Sequence, residues 1–202
     1  MRTDLDHLPA NKQRELERVK QIIFEEFADS IALYEFDDKE LHKPKPKTPD
    51  QALDMAQEYL DEWYPSAMRA HVNYGDDLER GWNKEAAFML HQATERLYHC
   101  VLLVCTFYTP HVHNLAFLRT QAERLDMRLV DVWPRELKSD RRHFEKLKEA
   151  YVKARYSKHY RITEEELRWL GDRVEELGRV VHAICSERLD QLRRAAGRLP
   201  SE

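Results

Sequence analysis

Glycine and proline are scarce in this chain of 202 residues, at five and eight. Beside abundant Glu, Leu, Arg, Lys and Ala, that scarcity is the composition of long helices. Cysteine is rarer still. Cys100, Cys105 and Cys185 cannot all pair, and each sits in an apolar run with helical spacing, so they read as reduced packing residues of a cytoplasmic protein. No run approaches the length needed to span a bilayer, and Met1-Arg-Thr-Asp-Leu-Asp-His has no apolar signal core. No charge of one sign dominates: the formal net charge is −4, which gives no global drive toward nucleic acid and leaves only a local basic patch for such contact. Internal repeats and low-complexity tracts are also missing. What is present is a 42% hydrophobic share, enough for a real core, with 35% charged residues to solvate it.

The first boundary lies early. Residues 9–28 carry Leu16, Val19, Ile22 or Ile23, and Phe27 at helical spacing, and Ser30–Phe36 is a short run of β-like alternation. One strand is not stable alone, so it pairs elsewhere or stays a loosely held arm. The charged segment from Asp37, with Lys43-Pro-Lys-Pro-Lys47, reads as an extended linker. Thr48, Pro49 and Gln51 then supply a capping box with proline at the first helical position. From there the spacing predicts five helices: Thr48 to Arg80 with a kink at Pro65, residues 84–106, His113 to Leu125, Leu137 to Tyr156, and a last one from the capping box Thr163–Glu166 to about Ala196. Gly81 is expected to end the first helix and Asn83 to cap the second. The last keeps Leu167, Leu170, Val174, Leu177, Val181 and Ile184 at heptad-like spacing. The expectation is an all-α, up-and-down bundle of four to five helices with an N-terminal helix and short strand arm. Its divisions are 1–36 for the arm, 37–48 for the linker, 49–197 for the bundle and 198–202 for the tail.

The second helix is polar on one side in its first half and apolar all round at Cys100–Cys105. A helix apolar all round is covered on every side, by its own domain or by a second chain. His91, Glu95 and His99 lie at i, i+4 and i+8 on this helix, a spacing that suits a shared metal. A di-metal site in a bundle needs Glu-x-x-His motifs on facing helices, and none recurs. These three residues, with Leu103, are therefore read as the edge of a homodimer interface. His111 and His113 form a His-x-His in a loop, where His113 or Asn114 suits the cap of the third helix. No metal and no cofactor is expected.

Ala87–Arg96, His113–Leu118 and Ala150–Tyr156 together resemble a HEPN domain (higher eukaryotes and prokaryotes nucleotide-binding), over residues 55–190. The first 36 residues resemble the leading helix and last strand of a minimal bacterial nucleotidyltransferase that is fused to such a domain. The part between is missing: no Gly-Ser with a following Arg-Gly to cradle a triphosphate, and no spaced Asp pair for Mg²⁺. The resemblance thus implies a nucleotidyltransferase remnant with no nucleotidyl transfer of its own. It also implies a dimer, a nucleotide, RNA or nucleotidyltransferase-type protein as partner, and, in ribonucleases of the superfamily that serve as toxins of toxin–antitoxin pairs, an Arg and a His separated by four to six residues. In that metal-independent chemistry the imidazole moves protons while the guanidinium stabilises the phosphorane. Here Arg155 and His159 are separated by only three residues and precede the cap at Thr163.

Around that pair, Tyr151, Lys153, Arg155, Tyr156, Lys158, Tyr160 and Arg161 interleave aromatic faces with cations, which suits stacked bases and phosphates. The same residues also suit an ordinary helix end whose cations complement the dipole. Two functions follow as expectations: a dimeric, non-catalytic module that binds nucleotide or RNA or acts as a scaffold, or a ribonuclease that uses Arg155 and His159 across the dimer.

Overall fold

A computed structural model describes residues 47–198, and these form six helices with no strand among the described residues. The leading helix, the Ser30–Phe36 strand and nearly all of the linker fall outside them. The helices are α1 (Pro49–Glu79), α2 (Asn83–Thr106), α3 (Leu115–Glu123), α4 (Arg128–Asp131), α5 (Lys138–Tyr156) and α6 (Glu164–Ala195). The single turn of α4 is the one element the spacing did not announce.

The caps explain most of the boundaries. Thr48 and Gln51 close a reciprocal capping box on α1, and Thr163 and Glu166 do the same on α6. Asn114 caps α3, its side-chain oxygen accepting from the amides of Ala116 and Phe117. Gly81, at φ +72°, reverses the chain after α1: its amide donates to Leu78 and the Trp82 amide to Asp77, a Schellman pair. Asn83 does not cap α2. Trp82 holds the cap position without a side-chain bond, and Asn83 instead donates to the carbonyl of Ile162 at 3.3 Å. Pro65 lies inside α1, which continues through it unbroken.

α2 is the axis of the bundle. Every residue from Tyr98 to Val104 is buried, and α1, α3, α5 and α6 all pack on this helix. Its apolar girdle is thus covered by its own domain. α1 and α6 approach closely at Gly171, where a Cβ would stand 2.7 Å from the Tyr74 ring, while the Tyr74 hydroxyl donates to the Leu167 carbonyl at 3.1 Å. Under the short helices, Trp133 donates its indole N–H to the Tyr98 hydroxyl at 2.8 Å, and the buried Arg119 reaches the Trp133 carbonyl at 3.3 Å and Glu123 at 2.6 Å. Both aromatic polar tips are therefore satisfied inside the core. All three cysteines are free thiols; Cys100 and Cys185 are buried and Cys105 is half-buried, with burial pushing the Cys105 thiol up to about 12. No helix among the described residues is long and apolar enough to cross a membrane.

Candidate functional site

The sequence carries two kinds of residue on α5, and the helix sends them to opposite sides. Arg142, Lys146, Glu149 and Lys153 recur at spacings of four, three and four, so they share one face. Tyr151 and Arg155 lie on the other, toward α2.

The first face borders an open cleft of about 530 Å³ lined by Arg142, Lys146, Glu149, Lys153, Ser157, His159, Tyr160 and Arg161. Its wall is the turn between α5 and α6, which three bonds hold in place: Lys84 to the Ser157 carbonyl at 2.8 Å, Asn83 to Ile162, and the buried Tyr160 hydroxyl to the Lys146 carbonyl at 3.0 Å. Glu166, at the start of α6, anchors the cations. Lys146 reaches its Oε1 at 2.6 Å and Arg142 at 3.2 Å, and the Thr163 amide donates to its Oε2 at 2.9 Å. Burial alone would raise this carboxyl, but the Lys146 ammonium, the Thr163 amide and Arg142 together hold it down to about 2. Lys153 pairs with Glu149 at 2.6 Å, and Arg161 turns back onto the carbonyls of Lys158 and Tyr160. The cleft therefore presents five basic or imidazole side chains and one lining carboxylate, Glu149, with the buried Glu166 behind Arg142 and Lys146.

The second face meets a polar cluster on α2. Phe107, in the left-handed region at φ 60°, turns the chain at the end of α2 and returns the following loop against the helix. That return sets His113 Nδ1 at 2.9 Å from Glu95 Oε1 and Thr109 Oγ1 at 2.5 Å from His99 Nδ1. Glu95 also lies 3.5 Å from His91 Nδ1 and 3.8 Å from His99 Nε2. Tyr151 stacks on His113 with centroids 4.5 Å apart and packs on His91 at 5.2 Å. Arg155 then lies over Tyr151 at 4.5 Å, Phe88 at 4.8 Å and Tyr156 at 5.0 Å, with its Nε bonded to the Tyr151 carbonyl. Desolvation lowers His91 to about 3, with the charges of His113 and Arg155 adding to it, and lowers His99 to about 4. Both ring nitrogens of His91 lack a hydrogen-bond partner among the described residues. Among the described residues, no three His, Cys, Asp or Glu side chains are arranged to hold a metal ion.

Several expected roles change. His91, Glu95 and His99 are buried beneath α1, α5 and the loop at 107–113, and Leu103 is buried as well, so the four offer a second copy almost no surface. The polar edge they form is turned inward because the loop after α2 folds back onto it. Arg155 and His159 are not brought together in one chain: Arg155 rests on three rings beside α2, while His159 lines the cleft. Tyr160 fills the core, and Tyr151 is half-buried against His113, so neither presents a free face to a base. Lys153, Tyr156, Lys158 and Arg161 are exposed. Sequence reasoning missed Arg142 and Lys146 as cleft residues, although their spacing to Lys153 was readable. It also missed the pairing of His113 with Glu95, which depends on a chain reversal that no local pattern announces.

The comparisons with known proteins agree with this bundle. No curated protein matches the chain. The HEPN domain model matches residues 60–184, from within α1 to the middle of α6, and so spans both faces of α5. That match covers more than half of the chain, and the chain belongs to the HEPN domain family.

Proposed function

We propose that this protein is a non-catalytic HEPN module that binds the phosphate backbone of RNA, or the phosphates of a nucleotide, in the cleft beside α5. The observation that carries this reading is the convergence of Arg142, Lys146, Lys153, His159 and Arg161 on one open cleft in a chain of net charge −4. A local basic surface on an acidic protein attracts polyanions through counterion release, whatever the net charge. Tyr156, 77% exposed and adjoining the cleft residue Ser157, adds an aromatic face for an unpaired base. The spacing of Arg155 and His159, shorter than the four to six residues of the ribonucleases and set before the cap at Thr163, favours binding over ribonuclease chemistry. The module is proposed to act as a homodimer through a surface other than His91, Glu95, His99 and Leu103, and to serve a nucleotidyltransferase-type partner.

The test is fluorescence anisotropy of a labelled single-stranded RNA against salt concentration. Affinity that falls steeply with salt, with no cleavage of the RNA, is the expected result; neutralising about three phosphates gives a log–log slope near −2 on single strands. Absence of binding at low salt refutes the reading, and cleavage that is lost in His159→Ala replaces it with the nuclease.

A further inference from the structure

Glu95 is a buried carboxylate with no lysine or arginine beside it among the described residues; its polar neighbours are Gln92 and three imidazoles. Two of those imidazoles stay neutral near pH 7, since desolvation lowers His91 to about 3 and His99 to about 4. His113 differs. Its side chain is 59% exposed, and its Nδ1 is committed to Glu95 at 2.9 Å, which leaves Nε2 as the nitrogen open to a ligand. A carboxylate on one ring nitrogen fixes the tautomer and the orientation of the ring.

Tyr151 links this pair to a second donor. Its ring lies 4.5 Å from the His113 centroid and 4.5 Å from the Arg155 Cζ, so imidazole and guanidinium are at most about 9 Å apart. Arg155 is held by its Nε on the Tyr151 carbonyl and by the rings of Phe88, Tyr151 and Tyr156, while its two terminal nitrogens have no protein partner among the described residues. A guanidinium immobilised in this way loses little entropy when it grips a tetrahedral oxyanion.

We propose that His113 and Arg155 form a proton-coupled site for a phosphate group, that of a mononucleotide or of an RNA terminus, distinct from the cleft on the other side of α5. The coupling follows from charge. With His113 neutral, Glu95 and Arg155 cancel; with His113 protonated, the array carries one net positive charge and one more donor. The titratable and charged groups around His113 are Glu95, His91 and His99 on α2, His111 in its own loop, and Tyr151 and Arg155 on α5. A bound phosphate therefore draws a proton onto His113, and a proton there tightens the phosphate by the same factor. The proposal does not rest on the cleft, whose RNA binding is measured separately.

Sulfate is the first probe, because phosphate itself titrates near pH 6. The His113 imidazole is followed by NMR from pH 5 to 8 in sulfate and in chloride at equal ionic strength, with His113→Gln to assign its signal and His182, exposed on α6 against Tyr64, as a bystander. Sulfate should bind about threefold more tightly to the protonated form, read as an equal displacement of the His113 titration to higher pH. The displacement should vanish in Arg155→Met and shrink in Arg155→Lys, which keeps the charge but not the fork; if the Met variant does not fold, the Lys variant decides. Adenosine monophosphate against adenosine, and 5′-phosphorylated against 5′-hydroxyl RNA, then distinguish a nucleotide from an RNA end. A His113 titration identical in both salts, a displacement that survives in Arg155→Lys undiminished or is shared by His182, or an equal response to adenosine, overturns the site.

Discussion

The two sides of α5 hold cations in opposite ways. On the cleft side, Lys146 and Arg142 converge on the carboxylate of Glu166, an ionic anchor tied into the capping box of α6. On the α2 side, Arg155 rests on aromatic rings, and the polar neighbours of the buried carboxylate Glu95 among the described residues are Gln92 and three imidazoles. The ionic side has its charge satisfied in the fold, whereas the aromatic side stores two neutral histidines in a dry place. The two sides should therefore fail under different conditions.

Acid gives the largest difference. His91 and His99 bind a proton near 6.5 when unfolded but only near 3 and 4 when folded. Between those values the unfolded chain holds more protons, so stability is full above about pH 6.5 and declines as pH falls, by about 1.4 kcal/mol per pH unit for each imidazole. A loss of about 3–4 kcal/mol between pH 6.5 and pH 5 should appear in urea melts. His91→Gln should halve that slope, and an unchanged slope would show that His91 is not buried as a neutral ring. Glu166 belongs to a lower window. Its carboxyl is depressed from 4.5 to about 2, so its share is present above about pH 4.5 and is lost only as pH falls toward 2.

Glu166→Ala comes next in size. It removes the partner of the half-buried Lys146 and half of the capping box, and should cost about 2–3 kcal/mol at neutral pH. Arg155→Lys on the other side should cost well under that, about 0.5–1 kcal/mol, since it gives up ring contacts at an exposed site. Equal losses in denaturant midpoints would erase the contrast between the two sides.

Function should divide the sides in the reverse order. Lys153→Glu with Arg161→Glu places two negative charges in the cleft at exposed positions. RNA affinity should fall about tenfold or more and the salt slope should flatten by about 1–2, while stability stays within about 0.5 kcal/mol. An unaltered affinity would move the RNA elsewhere on the molecule.

How much of this was readable in the sequence depended on range. The caps at Thr48, Asn114 and Thr163 and the reversal at Gly81 are local, and they were legible because a turn or a helix start is decided by residues within three or four positions. The burial of α2 at Cys100–Cys105 was equally plain, but its cause was left open between the chain's own domain and a second copy. Glu95 and His113 are 18 residues apart and meet only because Phe107 adopts a left-handed conformation, which nothing in a phenylalanine announces. The helix end at Tyr156 was local and legible too, so Arg155 keeps a helical direction while His159 takes that of the turn before Thr163.

The smallest effect is the one that joins the two sides. Tyr156 is exposed, follows Arg155 on the aromatic side and precedes the cleft residue Ser157. If an RNA strand that lies in the cleft stacks a base on this ring, Tyr156→Ala should weaken binding about threefold to fivefold, with no change in salt slope, because stacking releases no counterions. Combined with Lys153→Glu and Arg161→Glu, the losses should exceed or fall short of their sum, since all three side chains would touch one strand over a short span. Strict additivity in the anisotropy titrations would mean that the two sides of α5 act on separate ligands. That outcome would leave the cleft as the RNA site and make the aromatic side a site for a phosphate alone.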